Sequence, residues 1–338
     1  FKQIKNIKSG IFFIKSVGPR YVEIIDLLKK YGNKVVATDE ENIVFFSENH
    51  LLTRMNRECL KELDFYYCWG KREFDYLCRL YPEFKTKFII TGNPRIDVIK
   101  KPLNQKNLDE SFKLRKKKGD FILLNSGFGK VIRASKTDWV QDSIDAGKLD
   151  TEEKIQNERR AVQYEADNLK EFEKLINFLL IKLPKQKFIL RPHPSEDDNW
   201  WRNTFKDKNN LEVNTDKIST NVFIGASRCL IAHNCITLLE AYHFNKQSFN
   251  FIFKRDKGLE HELINLCSHI CSDKNDILKI VASNRTKDYT HINEEVKKKI
   301  SYSIYNSKIE IDSTDKIIEN LNIINKNISH KNTFDKNL

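Results

Sequence analysis

The chain has 338 residues, room for two domains of ordinary size, and 40% of them are hydrophobic, enough for sizeable cores. It contains no run of about 18 apolar residues, which excludes a membrane-spanning helix by the usual length argument. Its formal charge of +12 turns attention to anionic partners, yet neither an RNP1 segment nor a zinc-finger spacing accompanies the charge, so no nucleic acid is expected. Gly10 to Lys15 reads as a buried strand, and Tyr21 to Tyr31 carries Val22, Ile25 and Leu28 at helical spacing before Gly32 closes the helix. Lys34 to Ala37 is the next strand and runs into Asp39-Glu40-Glu41. This is a βαβ pattern, from which a parallel sheet follows. Asp39, Glu40 and Glu41 together could place one carboxylate for general-base work or bind the polar groups of a sugar; the same acids also suit a loop that caps the next helix. Phe65 to Trp69 is β-prone, Lys71 to Leu80 helical, and Lys87 to Ile90 a strand closed by Thr91-Gly92-Asn93-Pro94-Arg95. That loop can aim Arg95 at a ligand, or it is a turn with a helix-starting proline.

Pro102 to Lys118 is polar and charged and reads as the link between domains. A second βα series follows. Asp120 to Leu124 is a strand ending in Asn125-Ser126-Gly127-Phe128-Gly129-Lys130. Asn125 and Gly127 are candidate ligand contacts, because the glycines let backbone approach a phosphate; without Gly-Lys-Ser/Thr this is no P-loop. Lys136 to Thr151 reads as an irregular insert, and Glu152 to Leu183 as one long helix.

The segment that organises the chain is Phe188-Ile189-Leu190 running into Arg191-Pro192-His193-Pro194-Ser195-Glu196. A short continuous apolar run is the mark of a buried parallel strand. Two prolines then fix φ on either side of His193. A stiff His and Arg at a strand tip suit a phosphate, which draws Arg191, His193, Ser195 and Glu196 into one candidate site. Asn221 to Ala226 is a short helix. Arg228 to Ala232 is a strand ending in His233-Asn234-Cys235-Ile236-Thr237, and a helix from Thr237 to Phe244 carries Glu240. His233, Asn234 and Thr237 would line a phosphate seat, with Glu240 accepting from ribose or sugar hydroxyls. Thr237 and Glu240 also have the spacing of a capping box, and both readings can hold. Gln247 to Phe253 is a final strand, followed by polar helical stretches at 292–305 and 315–328.

Cys59, Cys68, Cys78, Cys229, Cys235, Cys267 and Cys271 form no CxxC pair, and their odd number argues against a disulfide framework. They read as reduced thiols of a cytoplasmic protein, and no metal site is expected from their spacing. No cofactor is expected either: no G-x-G-x-x-G follows the first strand, and His233 near Cys235 lacks a nucleophile-elbow context. The expected organisation is an amino-terminal Rossmann-like domain over 1–105, a nucleotide-sugar-binding domain over 119–285, and peripheral helices over 286–338. The chain opens on Phe1 and reads as a fragment or processed chain whose amino-terminal domain is incomplete.

Taken together, Lys34-Val35-Val36-Ala37-Thr38-Asp39-Glu40-Glu41, Tyr67-Cys68-Trp69-Gly70, Thr91-Gly92-Asn93-Pro94-Arg95-Ile96-Asp97, Arg191-Pro192-His193-Pro194-Ser195-Glu196 and His233-Asn234-Cys235-Ile236-Thr237-Leu238-Leu239-Glu240-Ala241 stand in the order seen in bacterial surface-carbohydrate biosynthesis proteins. The chain resembles the retaining Kdo transferases of lipopolysaccharide and capsule assembly over roughly residues 10 to 255. The resemblance implies an α/β fold with two Rossmann-like domains facing a cleft (GT-B-like). It implies a CMP-activated sugar such as CMP-Kdo on the carboxyl-terminal half, and His193 on its phosphate. It also implies a glycan or glycolipid acceptor on the amino-terminal half, with Glu40 or Glu41 moving a proton. For a protein read as cytoplasmic from its thiols, the excess of Lys and Arg leaves peripheral contact with the anionic inner membrane open. The family's carboxylate nucleophile has no counterpart where the strand reads Asn125-Ser126; Asp138, Asp142 and Asp145 are nearby alternatives. Two other activities suit the same architecture: a CDP-polyol phosphotransferase, with His233 as a second essential histidine, or a UDP-sugar 2-epimerase. A non-catalytic glycan- or polyanion-binding protein is the reading from a different class.

Overall fold

The computed structural model describes residues 9–40, 51, 54–100, 103–282, 292–307 and 310–334. Two compact units result, one formed by 1–101 together with 294–338 and one by 102–293.

The first unit is built on a four-stranded parallel sheet, β1 (Ile11–Ile14), β2 (Lys34–Ala37), β3 (Phe65–Cys68) and β4 (Phe88–Ile90), in that spatial order. Side chains alternate across a strand, so each strand feeds two layers. Val35 and Ala37 on β2 and Tyr66 and Cys68 on β3 join Ile25, Leu28, Cys59 and Leu77 on one face. Val36 and Tyr67 point the other way, onto Ile317 and Ile324 of the Ser313–Phe334 helix. Tyr67 donates to Asn320 Oδ1 at 2.7 Å in the same layer. The carboxyl-terminal helices set apart as peripheral in the sequence therefore supply one wall of the first unit's core. A sheet buried on both faces needs that wall, because an uncovered apolar face costs roughly 25 cal/mol for each Å² left in water.

The second unit holds a six-stranded parallel sheet in the order β10-β9-β8-β5-β6-β7. The strands are β5 (Phe121–Asn125), β6 (Lys187–Arg191), β7 (Leu211–Val213), β8 (Leu230–Ala232), β9 (Ser248–Phe251) and β10 (His269–Cys271). Counted from β5, this is the doubly wound order 3-2-1-4-5-6. The Glu152–Lys182 helix starts on Thr151, whose side chain accepts from Lys154 N, and carries two acids in its first turn, where they oppose the helix dipole. Its second half buries Leu169, Phe172, Leu175, Ile176, Leu179 and Leu180, spaced by three and four, against Ile122, Leu124, Phe188 and Leu190 of the sheet. On the opposite face Phe223 meets Phe121 edge-on at 6.4 Å.

Three expectations are corrected. The 102–118 segment is not a link: a helix over Leu103–Lys118 buries Leu114 and sends Ser111 Oγ to the Val222 carbonyl at 2.9 Å. The 136–151 segment holds a helix, Trp139–Asp145, capped by Asp138. Strands β7 and β10 were not foreseen: Leu211-Glu212-Val213 and His269-Ile270-Cys271 include a polar residue, whereas the equally short β4 and β8 are continuous apolar runs.

Candidate functional site

The order of the second sheet reverses between β5 and β8, and at such a point the loops after the two strands part and leave a crevice at the carboxyl ends. The two loops nearly touch at their roots. A Cβ on Gly127 would stand 2.7 Å from the His233 carbonyl oxygen, so a glycine is required there. Around this point lie the sequence candidates Asn125, Gly127, Arg191, His193, Ser195, Glu196, His233, Asn234, Thr237 and Glu240, all in the second unit.

Glu196 holds the loops after β5 and β6 together. It is 5% exposed, and its carboxylate accepts from Ser126 Oγ at 2.6 Å, Phe128 N at 2.7 Å and Trp201 Nε1 at 2.8 Å. Burial pushes its carboxyl above the usual range, against the pull of these three donors. Ser126 Oγ accepts in turn from the main-chain N–H of His193 at 3.1 Å. Ala134 N donates to the Ser195 carbonyl and Asp197 N to the Ile132 carbonyl, each at 3.1 Å, which laces the same two loops.

His193 stands exposed at the end of this scaffold. The main-chain N–H of Ser195 lies 3.2 Å from its Nδ1 and can only donate. Nδ1 is therefore an acceptor, Ser195 Oγ donates to it at 2.7 Å, and the ring proton sits on Nε2. The side chain thus presents an outward N–H on a backbone stiffened by Pro192 and Pro194.

His233 has the opposite tautomer. It is 1% exposed and stacked on Phe128 at 4.9 Å. Its Nδ1 lies 2.9 Å from the Phe251 carbonyl, which can only accept, so Nδ1 carries the proton and Nε2 is a bare acceptor with no partner. Burial lowers its pKa to about 4, so the ring is neutral at physiological pH. The Tyr164 hydroxyl, on a ring 5.8 Å away, is likewise buried and without a partner.

The remaining candidates are mostly occupied. Arg191 lies over the Phe223 ring at 4.1 Å and spends Nη2 on the carbonyls of Asp216 and Ile218, while its Nη1 is buried without a partner. Asn125, its register partner across the sheet, is buried with Oδ1 unpaired. Asn234 adopts φ +45° and is tied to Asn250, Leu259 and His261 by three hydrogen bonds. The capping box does not form. Ile236 is the cap residue, without a side-chain bond, and Thr237 Oγ1 donates to Cys235 Sγ at 3.2 Å. Glu240 is 2% exposed. Asp138 caps a helix, Asp142 pairs with Arg133 at 2.8 Å, and Asp145 accepts from Gln141, so none of the three is a free nucleophile.

In the first unit, Glu40 is exposed and paired with Lys15 at 2.6 Å, and Glu41 lies outside the described residues. The buried acid of that cluster is Asp39, held in a fork by Arg54 at 2.6 and 2.7 Å. Arg95 is exposed, its main-chain N–H donating to Asn93 Oδ1.

Sequence reasoning gave the long helix no part beside the candidate site, yet its acids meet the loop after β5. Glu165 Oε2 accepts the Lys130 main-chain N–H at 3.1 Å, and the Lys130 ammonium pairs with Glu158 at 2.9 Å. Glu158, Ala161 and Glu165 recur at helical spacing, the signal that was available. Among the described residues no three His, Cys, Asp or Glu converge as metal ligands, and no helix is long and apolar enough to cross a membrane.

No family model matches the sequence, and no curated protein matches it. Solved structures do resemble the fold. The wall teichoic acid polymerase TagF superposes with a TM-score of 0.52 at 14% identity, over 95% of this chain and 73% of its own. The UDP-GlcNAc 2-epimerase of Methanocaldococcus jannaschii gives 0.54 at 13%, over 93% and 75%. That of Neisseria meningitidis gives 0.53 at 12%, over 92% and 76%. The fold is of the GT-B type. Identities this low carry the α/β architecture of two Rossmann-like domains and no more.

Proposed function

We propose that this chain is an enzyme of cell-surface glycan assembly that binds a nucleotide-activated donor at the carboxyl ends of β5, β6 and β8 and transfers its sugar. The observation that carries the reading is His193: an exposed imidazole whose Nε2–H is fixed outward by Ser195, on a backbone braced by two prolines and a buried carboxylate. An N–H donor held in place suits a phosphate oxygen, and it strengthens as negative charge grows on the departing nucleotide. The net charge of +12 favours a donor rich in negative charge. A CMP-sugar such as CMP-Kdo fits, since its sugar adds a carboxylate to the phosphate. A glycan or glycolipid acceptor would then meet the first unit near Glu40 and Glu41, and the basic surface would suit work beside the anionic inner membrane.

The structures it resembles favour a second reading with the same site. One is a teichoic acid polymerase and others are UDP-GlcNAc 2-epimerases, which supports a CDP-polyol phosphotransferase or a UDP-sugar 2-epimerase. Calorimetric titration of wild type and His193→Ala with CMP, CDP, UDP and GDP separates them. Selective CMP binding that the variant loses supports the CMP-sugar transferase; preference for CDP or UDP moves the assignment to the second reading. Absence of binding to all four, in folded protein, refutes both.

A further inference from the structure

The loop after β4, which carries Arg95, is held by a side chain 213 positions further along the sequence. Asn306 is buried and grips Asn93 as a neighbouring strand would: its Oδ1 accepts from Asn93 N at 2.9 Å, and its Nδ2 donates to the Asn93 carbonyl at 2.8 Å. Gly92, at φ +89°, makes room for it, since a Cβ there would stand 2.4 Å from Asn306 Oδ1. Asn93 Oδ1 then accepts the main-chain N–H of Arg95 at 2.7 Å, so the place of Arg95 follows from that of Asn306. Next to it, Tyr305 donates its main-chain N–H to the Trp69 carbonyl after β3 at 2.8 Å. Asn306 is anchored in turn by Asp97, whose Oδ1 accepts from Asn306 Nδ2 at 2.6 Å.

Asp97 is 7% exposed and also receives the start of the Ser313–Phe334 helix. Its Oδ2 accepts from Thr314 N at 2.8 Å and from Thr314 Oγ1 at 2.9 Å. Asp312 Oδ1 accepts from the same Thr314 N at 3.2 Å, and the two carboxyl groups lie within hydrogen-bonding reach of each other. Two carboxylates on one N–H repel when both are ionised, and neither then has a proton to give. We propose that Asp97 and Asp312 share one proton, which locks the carboxyl-terminal segment onto the loop after β4 and makes the hold on Arg95 pH-dependent. Burial and then the Asp312 carboxyl raise Asp97 above the usual carboxylate range, against the pull of Asn306 and the amides of Thr314 and Ser313. The charged groups that flank the pair in sequence are Arg95, exposed on the Pro94–Lys100 helix, and Asp315 and Lys316 past Thr314; the Lys316 ammonium lies over the Tyr305 ring at 4.9 Å. With Asp97 raised, the contribution of the shared proton is full below the ordinary value of about 3.9 and is lost as pH rises through the raised one. All these groups belong to the first unit, so the lock is independent of the nucleotide that the second unit takes.

The test is carbon-13 NMR of aspartate-labelled protein from pH 3 to 8, with the two carboxyl signals assigned by through-bond correlation. Both signals are expected to move together through one step above the ordinary carboxyl range. As pH rises toward that step, the hydrogen-exchange protection of the Asn93 and Arg95 amides is expected to fall by up to about tenfold per pH unit. Asp312→Asn puts an amide N–H where the pair held its proton, so its protection is expected to stay level. Two signals that titrate separately at or below about 3.9 overturn the shared proton, and this readout needs no variant to fold. Protection that stays flat in wild type, or that falls equally in Asp312→Asn, overturns the hold on the Arg95 loop.

Discussion

Replacing Glu196 by alanine tests whether one carboxylate holds the loops after β5 and β6. The change removes the acceptor of three donors at 2.6–2.8 Å. Ser126 Oγ can turn toward the Arg191 carbonyl, already 3.5 Å away. Phe128 N and Trp201 Nε1 have no such alternative, and each buried donor left unpaired costs about 1–3 kcal/mol. With the cavity left by the side chain, the expected loss is about 4 kcal/mol, a large part of the roughly 5–15 kcal/mol that holds a domain together. Urea unfolding followed by tryptophan fluorescence suits the measurement, since Trp139, Trp200 and Trp201 all lie in the second unit. Glu196→Gln keeps one acceptor and turns an N–H toward another, so it is expected to lose about half as much. Adding Trp201→Phe should then cost less than it does in wild type, because the opposed donor is gone. An alanine variant within about 1 kcal/mol of wild type would refute the reasoning, for it would mean that water already serves these donors.

Three further outcomes follow from the same geometry. Glu165 has its folded pKa raised to about 7, so its contribution is full below the unfolded value near 4.5 and is lost as pH rises to 7; Glu165→Gln should therefore gain up to about 3 kcal/mol over wild type at pH 8 and nothing at pH 4, by urea unfolding. His233 has its folded pKa lowered to about 4, so its contribution is full above 6.5 and falls by up to about 3 kcal/mol toward pH 4; His233→Asn should flatten that acid limb, and an unchanged limb would mean that the ring is solvated. Gly129→Ala puts a methyl group 2.3 Å from Ser195 Oγ and 3.5 Å from Ser195 Cβ, so it should cost about 1–3 kcal/mol alone and clearly less beside Ser195→Ala, which removes the hydroxyl; equal costs in both backgrounds would exclude this clash.

Most of the parallel strands were legible because continuous apolar runs such as Phe188–Leu190 leave few alternatives, and the prolines after β6 mark its end. The candidates at the strand ends were legible for the same reason: their place follows from where the runs stop. What was not legible depends on partners distant in sequence. The polarity of Leu103–Lys118 suggested a link, but Ser111 finds its partner at Val222 in the Thr220–Ala226 helix, far along the chain, and Leu114 is buried. Thr237 and Glu240 carry the spacing of a capping box, yet Cys235 Sγ takes the Thr237 hydroxyl. The tautomers of His193 and His233 are set by one main-chain N–H and one carbonyl, neither of which leaves a trace in sequence. Glu165 was hidden in a charged helix half where neighbouring acids such as Glu158 and Asp167 form ion pairs with Lys130 and Lys254.

The first unit is closed by helices that follow the whole second unit in the sequence. The Ser313–Phe334 helix covers Val36 and Tyr67, and Ser303 lies so close to Gly70 that a Cβ there would come within 2.4 Å of the Ser303 carbonyl oxygen. Between the strands of that sheet and their wall the ribosome must make the whole second unit, about 190 residues, which takes on the order of 10–40 s at roughly 5–20 residues per second. For that interval one apolar face of β2 and β3 has no cover of its own. The first unit is then finished only after the second, and until that point its half-built sheet keeps an apolar face to be covered.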